Sequence, residues 1–412
     1  MRRALLLENP HAVAKEILAA HDIEAVFHTG AMDEDELASA LKDFEILGIR
    51  SKTNVTEKVL KANPQLCTIG AFCIGTNQID VKQASAQGVT IFNAPYSNTR
   101  SVVELAIAEI IALTRRLTVR NSLLHKGVWD KSATGSHEIR GRTLGIIGYG
   151  NIGTQLSVLA EALGMKVIFY DIAERLALGN AQPMATMEAV LREADIVSLH
   201  VDGSPQNTAM FGKREFDMMK PGSLFINLSR GFVSDIDDLV EALESGHLAG
   251  AAVDVFPAEP KKNGDPFSSP LVGMDNVILT PHVGGSTEEA QLDIGRFVAN
   301  KIVDYVRSAS TDMSVNMPNL VLSPSQSSRY RVALIHRNTP GVLALVNQTF
   351  AEHGANINGQ ILGTNAGIGY AITDISSELP IEAVRSIDEM DDTIRMRVLR
   401  RPTQDVAPAA NA

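Results

Sequence analysis

The hexapeptide Gly148-Tyr149-Gly150-Asn151-Ile152-Gly153 constrains this chain more than any other stretch. A lone G-x-G-x-x-G arises often by chance, so its context decides its meaning. An apolar run at 144–147 leads directly into it, and Ile152, Leu156, Leu159 and Leu163 fall on one face of a helix that Gly164 ends. A second apolar run, 167–170, ends at Asp171, 18 residues after Gly153. Strand, glycine turn, helix, strand and terminal acid are the parts of a dinucleotide-binding βαβ unit. Gly148 would permit the tight turn, Gly150 the approach of backbone to pyrophosphate, and Gly153 the packing of helix on sheet. Tyr149, Asn151 and Ile152 complete the cofactor-binding turn, and the first amides of the helix would hold the phosphates. Asp171 would accept hydrogen bonds from the adenine ribose and repel a 2′-phosphate. Ile172 and Ala173 come next rather than an arginine, so NAD is expected over NADP.

The same alternation extends on both sides. Residues 5–95 alternate helix-like stretches with apolar runs at 25–27, 44–49, 68–71 and 89–92. Further runs follow at 196–200, 224–228, 251–255 and 277–279. Short strands apolar on both faces and joined by helices indicate buried parallel sheets. Between the two sets, residues 101–126 read as one long helix, with Val102, Leu105, Ala106, Ile110, Leu113 and Leu117 at helical spacing before Gly127. A helix runs from beyond His282 to about residue 307, and the Ser-, Pro- and Asn-rich stretch 308–329 reads as a linker. Residues 330–400 read βαββαβ, the split plan of a ferredoxin-like domain. The fold class is therefore α/β, with two Rossmann-like doubly wound lobes and a C-terminal ferredoxin-like domain. The expected bounds are 1–97 with 285–326 for a discontinuous, flavodoxin-like lobe, 98–284 for the dinucleotide lobe, 329–401 for the third domain and 402–412 for a mobile tail.

Composition removes several classes of function. The 37 basic and 48 acidic residues give a net charge of −11, with no basic block suited to nucleic acid. No window approaches the roughly 18 apolar residues that cross a bilayer. The run after Arg2 and Arg3 stops at Glu8, too short for a secretory core, and reads as a strand. Cys67 and Cys73 fit neither a redox motif nor a zinc half-site, so no metal is expected and the thiols read as reduced, in a cytoplasmic protein.

Three polar residues stand at the ends of later strands, where open α/β sheets place their chemistry: Arg230, Glu259 and His282. Oxidising a 2-hydroxy acid, or reducing the oxo acid, needs a group of near-neutral pKa to exchange the hydroxyl proton, and histidine suits that task. A carboxylate would fix its tautomer and favour its charged form, and an arginine fork would bind the substrate carboxylate. Taken singly, each residue also fits a purely structural role.

The strings around them are distinctive. INLSRG at 226–231, AVDVFPAEP at 252–260 and LTPHVGGST at 279–287, together with GIRS at 48–51, AFCIGTNQ at 71–78 and FNAPYSNTRS at 92–101, closely resemble motifs of the D-2-hydroxyacid dehydrogenase family, over roughly residues 5–400. Within it, the chain looks most like bacterial members that carry a C-terminal ACT domain. The resemblance implies an enzyme in which His282 is the general acid/base, Glu259 its partner and Arg230 the binder of the substrate carboxylate. It implies that Arg50, Ser51 and Asn98, from the first lobe, hold the phosphate of 3-phosphoglycerate, so that substrate bridges two lobes whose closure excludes water. The reaction would be NAD-dependent oxidation to 3-phosphohydroxypyruvate, the first step towards L-serine, with 2-oxoglutarate reduction as a side activity. Trp129 resembles a family tryptophan that packs on a neighbouring subunit. His336, Asn338 and Asn356 match positions that bind L-serine where two ACT domains pair, which implies feedback in a homotetramer. Two alternatives stay open: a dehydrogenase for another D-2-hydroxy acid, and a non-catalytic NAD-sensing scaffold.

Overall fold

The structure is a computed structural model and describes residues 2–260, 264–323, 328–365 and 367–400. The expected tail at 402–412 lies outside the described residues. The chain forms two compact units, Met1–Pro95 with Leu292–Ala412, and Tyr96–Gln291.

In the first unit, strands β1 (Arg2–Leu7), β2 (Ile23–His28), β3 (Ile46–Ile49), β4 (Thr68–Ala71) and β5 (Thr90–Phe92) alternate with helices α1 (Val13–Ala19), α2 (Glu34–Ala40), α3 (Glu57–Ala62) and α4 (Val81–Ala86). The strands pair in parallel in the order β2-β1-β3-β4-β5. Leu5, Leu47, Ile49, Ile69 and Ile91 bury against the helices of one face. Ala4, Leu6, Ile46 and Cys67 bury on the other, with Ile294, Val298 and Ile302 of the long helix that ends at Ser308. Burial on both faces is why these strands read as unbroken apolar runs.

The second unit opens with α5 (Thr99–Thr114) and α6 (Leu117–His125) and continues through β6 (Thr143–Ile147), α7 (Asn151–Ala162), β7 (Lys166–Tyr170), β8 (Gln182–Pro183), α8 (Met187–Glu193), β9 (Ile196–Leu199), α9 (Lys213–Met218), β10 (Ser223–Asn227), α10 (Ile236–Glu244), β11 (Leu248–Val253) and β12 (Val277–Leu279). Its parallel sheet has the order β12-β11-β10-β9-β6-β7-β8, the doubly wound Rossmann arrangement. The single helix expected over 101–126 is two. Arg116 takes a left-handed conformation, φ 51°, and the main chain of His137 and the side chain of Ser136 bind the freed carbonyls of Thr114 and Arg115. The apolar stripe that buries α5 ends at Leu113, and none of the α6 side chains is buried, so nothing holds one continuous rod.

Helix α11 (Glu288–Ser308) leads back into the first unit, which ends in β13 (Tyr330–Arg337), α12 (Val342–Glu352), β14 (Ile357–Thr364), β15 (Ile368–Ile375), α13 (Ile381–Asp388) and β16 (Thr393–Arg400). These four strands form an antiparallel sheet, β14-β15-β13-β16, with both helices on one face. The stretch expected to be a linker is instead a strap across the other face. Ala309, Met317 and Leu320 bury against Ala333, Ile335, Tyr370 and Ile372, while Asn316 and Thr311 bind main-chain groups of the first sheet and of the strap itself. Its polar composition serves hydrogen bonding to backbone rather than solvation. Arg331, 1% exposed, closes the joint by pairing with Asp374 and donating to the carbonyls of Ser308 and Leu322.

Candidate active site

The second sheet reverses its strand order between β6 and β9, and the ends of those strands carry the glycine turn. Gly148 has φ 92° and donates its N–H to the carbonyl of Tyr170 at 2.9 Å. A Cβ there would lie 2.6 Å from the His200 carbonyl oxygen, and one on Gly153 would lie 2.3 Å from that of Gly148. A Cβ on Gly150 would meet nothing within 4 Å beyond its chain neighbours, and α7 begins beside it without a side-chain cap. Two closed glycines and one open one, next to uncapped helix amides, suit a dinucleotide pyrophosphate. One Asp171 oxygen accepts the Tyr149 N–H at 2.8 Å; the other accepts the Ala173 N–H at 2.9 Å and pairs with Arg175 at 3.3 Å. That arginine, four residues on, is engaged with the carboxylate. Exposed Asn151 and half-buried Ile152 open the helix. Tyr149 takes part in this turn through its main chain. It is 1% exposed, stacked on Phe169 and hydrogen-bonded to Ser157, so only its backbone shapes the turn.

The later strands deliver the chemistry. After β10, Gly231 approaches the main chain of Phe256 so closely that a Cβ would fall 2.0 Å from its carbonyl carbon. Only glycine fits, and the contact sets Arg230 beside the loop after β11. That loop carries Glu259, one oxygen of which accepts the Phe256 N–H at 3.2 Å. Both Glu259 oxygens lie within reach of His282 Nδ1, at 2.9 and 3.0 Å. His282 itself holds a left-handed backbone, φ 53°, which a histidine adopts only where its surroundings enforce it. Asp254 enforces it. Its carbonyl accepts the His282 N–H at 2.8 Å, and its carboxylate takes the Thr280 hydroxyl at 2.6 Å and the N–H groups of Val283 and Gly284 at 2.8 and 2.9 Å. Sequence reasoning did not single out Asp254, although an acid inside an apolar strand run was the available signal.

The hydrogen bond from Glu259 raises the His282 pKa above the ordinary imidazole value. Burial opposes it, the Glu259 and Asp254 charges add to it, and Arg230 works against it. For Glu259, burial pushes upward, but the His282 hydrogen bond and charge, the Phe256 amide and Arg230 hold the carboxyl below its usual range. A pair with imidazole biased towards the cation and carboxylate towards the anion can exchange a proton with substrate through the outward nitrogen, Nε2.

The remaining expected residues fall in several places. Arg50 and Ser51 follow β3 in the first unit, half-buried and exposed respectively. Asn98 lies in the second unit rather than beside them in the first, its amide packed where a Gly285 Cβ would be 2.3 Å from Nδ2, and its Oδ1 is buried without a partner. Trp129 is 78% exposed. In the C-terminal sheet His336 is buried, with Nδ1 donating to the Arg337 carbonyl at 2.7 Å and Nε2 unpartnered, while Asn338 and Asn356 are exposed.

Comparison with known proteins gives a consistent outcome. Residues 107–284 match the D-isomer specific 2-hydroxyacid dehydrogenase NAD binding domain, and residues 332–395 the AHAS small subunit-like ACT domain. The chain is 50% identical to the D-3-phosphoglycerate dehydrogenase of Escherichia coli (strain K12), over 96% of this chain and 97% of that one. It is 46% identical to the enzyme of that name from Dictyostelium discoideum, with the same coverage. Among solved structures, a D-lactate dehydrogenase from Aquifex aeolicus complexed with NAD and lactic acid is 26% identical, with a TM-score of 0.66 over 74% of this chain and 95% of that one. A D-2-hydroxyisocaproate dehydrogenase is 25% identical, with a TM-score of 0.69 over 76% and 99%. The chain therefore belongs to the D-isomer-specific 2-hydroxyacid dehydrogenase family, as an NAD-dependent oxidoreductase of its D-3-phosphoglycerate dehydrogenase branch.

Proposed function

We propose that the protein oxidises 3-phospho-D-glycerate to 3-phosphohydroxypyruvate, opening the route to L-serine. The observation that carries the chemistry is the His282–Glu259 pair at 2.9 Å on a loop anchored by Asp254. Neutral His282 takes the substrate hydroxyl proton at Nε2, Glu259 holds Nδ1–H and stabilises the resulting imidazolium, and Arg230 binds the substrate carboxylate. Bound NAD supplies the hydride acceptor, and the residues from Gly148 to Gly153 with Asp171 hold it. Arg50 and Ser51 grip the phosphate, and Asn98, at the start of α5, contributes to the same substrate. The sequence match to enzymes named for this substrate supports the choice over other D-2-hydroxy acids and over a non-catalytic scaffold. A distal carboxylate can stand in for the phosphate, so 2-oxoglutarate is a secondary substrate.

L-serine is the effector at the ACT domain, bound by His336, Asn338 and Asn356 where two copies of the chain meet in a cytoplasmic homotetramer. The buried, unpartnered Nε2 of His336 supports this reading. The deciding experiment follows NADH absorbance with 3-phosphohydroxypyruvate, 2-oxoglutarate and glyoxylate, each with and without L-serine. Fast, serine-inhibited oxidation of NADH with the phosphorylated substrate is expected. NADH binding without turnover on any of the three would favour the scaffold. Asn356→Ala should relieve serine inhibition and spare turnover; unchanged sensitivity would remove the effector assignment.

A further inference from the structure

The first sheet reverses its strand order between β1 and β3, and ligands of open α/β sheets bind beside such reversals. Here a side chain of the protein occupies that position. Glu8 follows β1 directly and is 8% exposed. Its carboxylate accepts three main-chain N–H groups of the loop after β3: Arg50 at 3.3 Å and Thr53 at 2.8 Å on Oε1, and Lys52 at 3.0 Å on Oε2. Main-chain amides of one loop converging in this way form an anion-binding nest. The same loop is held by its carbonyl side. Gln78, 7% exposed, donates its amide to the Arg50 carbonyl at 2.6 Å and to that of Gly75 at 3.2 Å.

Glu8 has φ 64°, where glycine would be less strained, and three charge-assisted bonds over-determine the conformation. With those amides directed at Glu8, a substrate phosphate beside this loop has to be met by side chains. The two that the loop offers at its start are Arg50 and Ser51.

We infer that Glu8 is a positioning residue: a built-in anion that fills the nest at the first sheet's reversal and locks the 50–53 loop so that Arg50 and Ser51 meet the substrate phosphate. The inference rests on the phosphate reading of Arg50 given above.

Glu8→Gly tests it, because glycine keeps the left-handed backbone while the side chain and its anion are removed. KM for 3-phosphohydroxypyruvate should rise about tenfold, with kcat and NADH affinity within about twofold of wild type. Formate or acetate should refill the nest and bring KM back towards the wild-type value, with no such gain in wild type. A merely structural role would lower thermal stability without carboxylate rescue. Glu8→Gln, nearly the same shape, carries the test if the glycine variant fails to fold, and should raise KM in the same direction. An unchanged KM in both variants, or a loss in the glycine variant that neither anion recovers, overturns the inference. Arg50→Ala separates this from the reading beneath it. If KM rises for Arg50→Ala but not for the Glu8 variants, only the positioning role falls; if Arg50→Ala leaves KM unchanged, the phosphate reading falls and the inference with it.

Discussion

Each of the two parallel sheets reverses its strand order once, and the loops at the two reversals are built in opposite ways. In the second unit the turn after β6 keeps Gly150 open and leaves the first amides of α7 uncapped. In the first unit the reversal lies between β1 and β3, and there the amides after β3 already hold the carboxylate of Glu8, which follows β1. One turn exposes backbone amides suited to phosphates; the other is filled from within by Glu8. On the proposed reading, the first arrangement suits a dinucleotide pyrophosphate held by backbone amides, and the second leaves a compact phosphorylated acid to be met by Arg50 and Ser51. Buried carboxylates differ in the same way. Glu8 has three N–H partners, whereas both oxygens of Glu109 on α5 are buried without one.

In the proposed function, proton exchange belongs to the second unit and phosphate binding to the first, and the largest expected effect tests that division. His282→Ala should lower turnover about a thousandfold while NADH binding, read by fluorescence titration, persists; a fall of less than about tenfold would end the acid/base assignment. Gly150→Asp should break the open nest. Its backbone is not left-handed and nothing crowds it, so the chain should fold, while the new carboxylate lowers NADH affinity about a hundredfold.

Glu259→Gln should cost about tenfold in turnover and move the acid limb of the oxidation profile to lower pH. The direction follows from His282: Glu259 raises its pKa, oxidation needs the neutral imidazole, and losing the carboxylate lets the proton leave earlier. An unmoved limb would show that another group titrates.

The smallest effect concerns stability. Burial, with the Asp254 charge, raises the Glu109 pKa to about 8. The carboxyl is neutral in the folded protein but ionised when unfolded, so stability falls as pH rises from the ordinary carboxylate value towards 8. Glu109→Gln should flatten that slope, gaining at most about 3 kcal/mol at pH 7 and little near pH 4, measured by denaturant titration. Equal gains at both pH values would mean that packing, not ionisation, is responsible.

Local pattern made much of this legible. The cofactor turn could be read because its parts are contiguous: strand, three glycines at fixed spacing, helix and terminal acid lie within 144–171. The ferredoxin-like order of 330–400 followed from short-range periodicity in the same way. Arg230, Glu259 and His282 could be chosen as strand-end polar residues, but spacing alone left each with a structural alternative, and the family resemblance supplied their roles.

Sequence determined which segments form strands and helices, where the dinucleotide binds and which residue types are available for proton exchange. Tertiary structure decided what periodicity cannot register. It broke the helix at Arg116, turned a polar stretch into a packed strap and sent the Tyr149 side chain into the core. It alone placed the Glu8 carboxylate on amides more than forty residues away, and Asp254 under the His282 loop. Helical and strand patterns arise from neighbours along the chain, whereas a buried carboxylate finds its partners only when distant strand ends are brought side by side.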